Sequence, residues 1–220
     1  IWSRLVGSEM CIRDRGEGRE PALHVEIQSN QGAWRIEDRY PASDTTEVIM
    51  TIGDDLSRIS GSSNVLPDAS TGPVYESAPL EEDMFIQGLP RLHVEVSTTT
   101  VGGQLYAILE DCFEGDCIHI GHAIMDLRYH EGGDELSSTW TPVVGTITAM
   151  MEFIALDAEI EAGHTLRVSL LSTGEDYLPA STSSIVTIQE GAGSTLQLDT
   201  FNPETRRYWT PPVCTHEICA

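Results

Sequence analysis

RLHVEVSTTTVGGQLYAILED, residues 91–111, reads as two strands and the turn that joins them. Leu92, Val94 and Val96 alternate with Arg91, His93 and Glu95. Beyond Gly102–Gly103 the same period resumes, with Leu105, Ala107 and Leu109 on one face and Tyr106 and Ile108 on the other. Apolar residues at every second position put one face of a strand on a core, and the paired glycines allow the chain to reverse. The pattern repeats outward in both directions: LHVEIQ at 23–28, HTLRVSLLS at 164–172, SIVTIQ at 184–189 and TLQLDTF at 195–201. CIHIGHAIMDLRY (117–129) and TITAMMEFIAL (146–156) are also expected as strands. The second is rich in helix-favouring Ala, Met and Glu, but its Thr-Ile-Thr opening and lack of a capping residue predict a strand. Turn clusters such as SNQG, HEGGDE, EAGH and EGAGS separate these segments. About ten strands without a long helix predict an all-β, antiparallel two-sheet jelly-roll sandwich. Residues 53–79 are mostly polar and are expected as a surface loop with one helical turn near 54–59. Residues 203–220 carry three prolines and are expected as a surface tail.

Composition narrows the partners. The 220 residues hold 35 acidic side chains against 12 basic ones, a net charge of −23, and every basic residue is arginine. Such a surface repels phosphate backbones and anionic lipid, which argues against nucleic acid and membrane surfaces as partners. No stretch reaches the roughly 18–20 apolar residues of a spanning helix. No basic-then-apolar leader is visible at the start of the chain. A hydrated, salt-tolerant surface accounts for the acidity; attraction of a cationic partner is the alternative.

Catalytic signatures are missing. The chain contains no G-x-S-x-G elbow, no H-E-x-x-H, no phosphate loop and no G-x-G-x-x-G. Its serines cluster in SGSSN and ASTSS, where they suit turns. His24, His93 and His119 fall at the polar phase of strands and are expected as surface residues. His164 follows a glycine at a strand start and is expected to hydrogen-bond neighbouring backbone. No catalytic residue, cofactor or metal ion is therefore assigned.

Apart from Cys11, the cysteines form two pairs of equal spacing, Cys112/Cys117 and Cys214/Cys219. The first brackets a four-residue turn between strands, within reach of a disulfide, and the second could close a small ring. Free thiols remain open, as does a zinc site made by both pairs, although zinc knuckles usually have shorter spacing. Two local disulfides would suit a secreted or extracytoplasmic protein. The acidic loop EDCFEGDC (110–117) offers oxygen atoms to calcium but lacks the regular ligand spacing, so solvated carboxylates are the simpler reading.

Two longer stretches carry a resemblance. HVEIQSNQGAWRIEDRYPASD (24–44) and FIQGLPRLHVEVSTTTVGGQLYAILEDC (85–112), followed by GHAIMDLRY and FIALDAEIEAGHTLRVSLLST, resemble the C-terminal jelly-roll domain of the X-Pro dipeptidyl-peptidase family, which includes cocaine-esterase-like and α-amino-acid ester hydrolases. Trp34, Arg35, Tyr40 and Pro41 match the family's W-R-x-x-x-x-(W/Y)-P pattern. Gly88 and Pro90 match its Gly-x-Pro, and Ala162, Gly163, His164 and Arg167 match its strand entrance. The resemblance spans about residues 23–202 and implies a galactose-binding-domain-like sandwich. It also implies an α/β-hydrolase domain upstream in the same polypeptide, bearing the Ser, Asp and His, so that this chain alone would be inactive. Trp34 and Tyr40 are the candidates for the surface facing that domain. A free-standing carbohydrate- or ligand-binding module is the alternative, but Trp34, Trp140 and Trp209 lie on unrelated segments and mark no platform.

The start of the chain is of another kind. LVGSEMCIRDR (5–15) back-translates to a sequencing-library adapter ending in a transposase recognition sequence. Residues 1–15 are accordingly expected to be non-native, residues 16–202 to form the sandwich, and residues 203–220 the tail. Only two of the 35 acidic residues fall in the first fifteen, so the negative charge belongs to the remainder.

Overall fold

The computed structural model describes residues 25–59, 64–66, 72–132, 139–174, 177 and 184–210. In chain order the strands are β1 (Val25–Gln28), β2 (Trp34–Glu37), β3 (Thr46–Thr51), β4 (Leu56–Arg58), β5 (Val65–Leu66), β6 (Val74–Ser77), β7 (Met84–Gly88), β8 (Arg91–Thr98), β9 (Gln104–Phe113), β10 (Asp116–Asp126), β11 (Thr146–Glu152), β12 (Leu156–Ile160), β13 (Thr165–Leu171), β14 (Val186–Gln189), β15 (Thr195–Thr200) and β16 (Arg207–Trp209). Short 3-10 helices lie at Leu127–Gly132 and Pro203–Thr205. The protein is all-β, an antiparallel sandwich.

One layer is the sheet β10-β9-β13-β6-β4. The other runs β12-β7-β15-β8-β14-β5, with β11 added to β8 and β3 to β15. A third, small sheet, β1-β2-β16, lies beside β12, where Asn30 exchanges hydrogen bonds with Glu159 backbone. The two large layers close on the residues that alternation marks out: Leu92, Val94 and Val96 from β8, Leu105, Ala107 and Leu109 from β9, Leu166, Val168 and Leu170 from β13. Burying a Val or Leu side chain is worth about 1.5–3 kcal/mol, so the period of two is also the main source of stability.

Four expectations need correction. TITAMMEFIAL is two strands. β11 pairs with β8 up to Glu152 opposite Arg91, and β12 begins at Leu156 opposite Gly88. Between Gly88 and Arg91 the partner chain turns a corner at Leu89–Pro90. Proline has no N–H to continue a ladder, so the chain facing it breaks too: Phe153 N–H donates to Pro90 O and Ile154 N–H to His122 O. Gly88 has φ +115°, a region that favours glycine.

CIHIGHAIMDLRY stays a strand only to Asp126, with a bulge between His119 and Gly121. The Asp126 carboxylate accepts from Arg128 N–H and pulls the chain into the 3-10 turn. Residues 53–79 are not a mere loop. Leu56, Leu66 and Tyr75 are fully buried, and the expected helical turn near 54–59 is a tight turn leading into β4. Their lone apolar residues, set in polar runs, gave no period to read. Finally, the first part of the expected surface tail is not irregular but continues through a 3-10 turn into β16, which pairs with β2; residues 211–220 lie outside the described residues.

The outer face of the five-stranded layer carries an ion pair across strands. Arg167 on β13 donates to Glu76 on β6 at 3.0 and 2.8 Å, and the Thr165 hydroxyl donates to the same carboxylate at 2.6 Å. Burial alone would raise the Glu76 pKa, but Thr165 and Arg167 outweigh it and hold the group below its ordinary value of 4.5. A carboxyl depressed in this way adds stability that is fully present above its unfolded value and lost as pH falls through the folded one. Glu76→Gln should therefore flatten the acid limb: from pH 7 to pH 3 the urea midpoint should fall further in the wild type than in the variant.

Candidate domain interface

Alternation in β2 sends Trp34 and Ile36 one way and Arg35 and Glu37 the other. The charged pair is the buried one, with Arg35 only 1% exposed. Arg35 reaches Asp157 on β12 with both terminal nitrogens, Nη1 to Oδ1 at 2.9 Å and Nη2 to Oδ2. Its Nε donates to Glu37 at 3.4 Å, and its guanidinium lies 4.2 Å from the Phe201 ring centroid. Burial works against the Arg35 charge, yet the hydrogen bonds and field of Asp157 more than offset it and hold its pKa above the ordinary arginine value. Gln87 completes the cluster, donating to Asp157 at 3.3 Å and accepting from Ala42 N–H at 2.9 Å. Arg206, just before β16, also lies over the Phe201 ring, at 4.9 Å from its centroid, and pairs with Asp44 at 2.7 Å. The whole cluster fastens the small sheet to the edge of the sandwich.

Of the two interface candidates, Tyr40 serves the same fastening. Its hydroxyl sits 2.7 Å from Leu156 O and 3.1 Å from Gly88 O and accepts from Gly88 N–H at 3.2 Å. Trp34 is on the opposite face of β2 from Arg35, half-buried, meeting Trp209 edge to face at 6.3 Å. The strand pairing of β16 with β2 brings these two tryptophans together across 175 residues, a juxtaposition that no local pattern announces.

Among the described residues the histidines make no nucleophile–base pair. His164 Nδ1 lies 2.8 Å from the buried Asp111 carboxylate and its ring stacks on Phe113 at 4.7 Å, so its partner is a side chain and not the backbone expected. His122 Nε2 meets the Tyr177 hydroxyl at 3.0 Å, and His130 Nδ1 meets Leu127 O. Among the described residues no histidine ring hydrogen-bonds a serine, threonine or cysteine. His93 is half-buried on β8, His119 is exposed, and His24 lies outside the described residues.

Cys112 and Cys117 face each other across the β9–β10 hairpin and are joined by a disulfide, with Cα atoms 4.1 Å apart. Cys214 and Cys219 lie outside the described residues. In the same acidic loop Glu110 accepts from the Ser169 hydroxyl and Asp111 holds His164, so two of its carboxylates already have partners. Among the described residues no three His, Cys, Asp or Glu side chains converge on a metal position. Alkylation of the unreduced, unfolded chain should leave Cys112 and Cys117 unlabelled, and reduction should expose both and remove about 2 kcal/mol of stability, as a short closed loop implies.

Among the described residues no helix is long and apolar enough to cross a membrane. Solved structures share this fold. A CocE/NonD family hydrolase from Staphylococcus aureus superposes with a TM-score of 0.71 over 89% of this chain and 46% of its own, at 12% identity. An aminopeptidase from a marine sediment archaeon, Thaumarchaeota archaeon, does so with a TM-score of 0.61 over 79% of this chain and 39% of its own, at 13% identity. The chain thus spans less than half the length of either. No curated protein matches it in sequence. A family model, that of the X-Pro dipeptidyl-peptidase C-terminal non-catalytic domain, matches residues 17–208, from the segment before β1 into β16. That match covers the sandwich and its fastened small sheet together, and the chain belongs to this family of non-catalytic domains.

Proposed function

We propose that this chain is the accessory sandwich of a larger serine hydrolase that cleaves peptide or ester bonds. In this reading the reacting serine and its His and Asp belong to an α/β-hydrolase domain upstream in the same polypeptide. The family match over residues 17–208 carries the reading, since the family is defined as non-catalytic. The hydrolases of like fold, of which this chain covers 46% and 39%, are consistent with it. In the whole enzyme, serine would attack the substrate carbonyl, histidine would take its proton, and backbone N–H groups would stabilise the oxyanion. The sandwich contributes surface, not reacting groups. An extracytoplasmic location belongs to the same proposal, supported by the Cys112–Cys117 disulfide.

The alternative, a free-standing carbohydrate-binding module, needs a flat aromatic platform. Trp34 and Trp209 meet at an interplanar angle of 70°, which offers a sugar ring no common plane. The experiment is to recover the gene upstream of residue 16 and express the longer product. A G-x-S-x-G segment and a product labelled by a serine-directed phosphonate are expected. An upstream frame that encodes no hydrolase would refute the proposal.

A further inference from the structure

β3 is an edge strand with half of its backbone groups turned away from the sheet. It pairs with β15 alone, from Thr46 opposite Thr200 to Thr51 opposite Thr195. One step further along that register Ile52 N–H donates to Ser194 O at 2.8 Å, so Thr46, Val48 and Met50 turn their N–H and C=O groups toward β15. Glu47, Ile49 and Thr51 turn theirs the other way. Thr51 is satisfied there, its N–H donating to Asp55 at 2.8 Å and its carbonyl accepting from Asp54 N–H at 3.3 Å. The N–H and C=O of Glu47 and Ile49 have no partner among the described residues. Proteins usually guard such an edge with proline, lysine or a bulge. β3 has none of these, and Ile49 is 51% exposed.

The side chains beside this edge are unusual as well. Glu47 and Asp199 stand directly opposite each other at a non-hydrogen-bonded position of the β3–β15 pair, where side chains approach most closely. Like charges placed in this way destabilise a sheet. Neither carboxylate has a hydrogen bond or ion pair among the described residues. Together they form one wall of a cleft of about 300 Å3, whose other walls include Pro41, Leu89, Gln197 and Arg91. Arg91 already has a carboxylate at 3.5 Å, that of Glu152. The cleft therefore holds two unmatched negative charges against an apolar wall, next to the unmatched main-chain groups of Glu47 and Ile49.

We infer that β3 receives an extended segment of a partner polypeptide as a further strand, and that a Lys or Arg of that segment enters the cleft beside Glu47 and Asp199. An added strand satisfies the N–H and C=O of Glu47 and Ile49, and a pocket beside the edge selects the side chain at alternate positions. A long basic side chain suits the cleft twice over. Its charge relieves the Glu47–Asp199 repulsion, and its aliphatic stem covers Leu89 and Pro41. Two positions along the segment, on the same face, an apolar residue meets Ile49. A second copy of this chain is a poor occupant, because each copy carries a net charge of −23 and would bring its own Glu47 to an acidic edge. Edge and cleft belong to the sandwich itself, so they stand apart from the accessory-domain reading.

Hydrogen exchange with the peptide acetyl-Thr-Ile-Thr-Arg-Thr-Ile-Thr-amide tests this. Its isoleucines stand two positions to either side of the arginine and so fit either strand direction. With peptide in excess, the amides of Glu47 and Ile49 should exchange at least about tenfold more slowly, while Val48 and Met50, already bonded to β15, change little. Glutamate in place of the peptide's arginine, or Glu47→Arg in the protein, should weaken binding at least about tenfold. Ile49→Pro removes an edge N–H without touching the β15 ladder and should weaken binding by a similar factor. Circular dichroism of each variant establishes that the sandwich still folds. Peptide at about 5 mM that protects neither amide overturns this docking edge. Protection of both amides before peptide is added also overturns it, by showing that the edge is already covered. Equal affinity for the arginine and glutamate peptides overturns the cationic partner, and arginine amide that binds as tightly as the peptide overturns the added strand.

Discussion

Asp157→Ala should destabilise the domain by about 3–5 kcal/mol, because it leaves the Arg35 guanidinium buried without its counter-charge. Both side chains are almost fully enclosed, at 2% and 4% exposure, so water cannot replace the missing carboxylate. Gln87 would also lose the acceptor for its amide, and Glu37, at 3.4 Å from Arg35 Nε, makes no contact with the two terminal nitrogens that Asp157 holds. The comparison that separates a broken pair from lost packing is the double variant Arg35→Met with Asp157→Leu. Removing both charges and keeping apolar volume should recover most of the loss, since desolvating an ion pair offsets much of its attraction. Urea denaturation followed by tryptophan fluorescence measures both, with Trp34 and Trp209 reporting on the small sheet directly. A loss below about 1 kcal/mol, the range of an exposed pair, would mean that the small sheet is not fastened in this way.

Phe153→Ala should cost about 3–5 kcal/mol, the range for emptying a buried aromatic site. Phe153 is 1% exposed and sits where the chain leaves β8 to pair with β7, with Gly121 of β10 against it. The surrounding backbone is held by the Phe153–Pro90 and Ile154–His122 hydrogen bonds and has little freedom to collapse into the space. Phe153→Leu should retain more than half of the stability that alanine loses, by filling most of the volume. Equal losses for the two variants would show that the ring is not part of the close-packed core.

These two sites also mark where the sequence could and could not be read. The strands of β8, β9 and β13 were legible because each has one face on the core and one outside, so burial writes itself into alternate residues. Phe153 belongs to a corner, where the same apolar residues serve two partners in turn and the period carries no sign of the break. Residues 53–79 hid β4, β5 and β6 for a related reason: strands of two to four residues are too short to establish a period, and Leu56, Leu66 and Tyr75 enter the core singly. At the interface, Trp34 and Arg35 stood out as part of a family pattern, but their division of labour did not. That Arg35 points inward and Trp34 outward depends on Asp157, 122 residues away, and on Trp209 in what reads as a tail. The hairpin cysteines were readable because their separation and their turn are both local, whereas the Asp111 partner of His164 becomes visible only when β13 is laid against β9.

Under the proposed function this sandwich serves a hydrolase and performs none of its chemistry. Incubating the purified chain with a serine-directed fluorophosphonate, alongside an ester and an X-Pro dipeptide amide as substrates, tests this most directly. The account expects no covalent adduct by mass spectrometry and no hydrolysis above the rate of buffer. A single labelled serine, with turnover that the label abolishes, would contradict it.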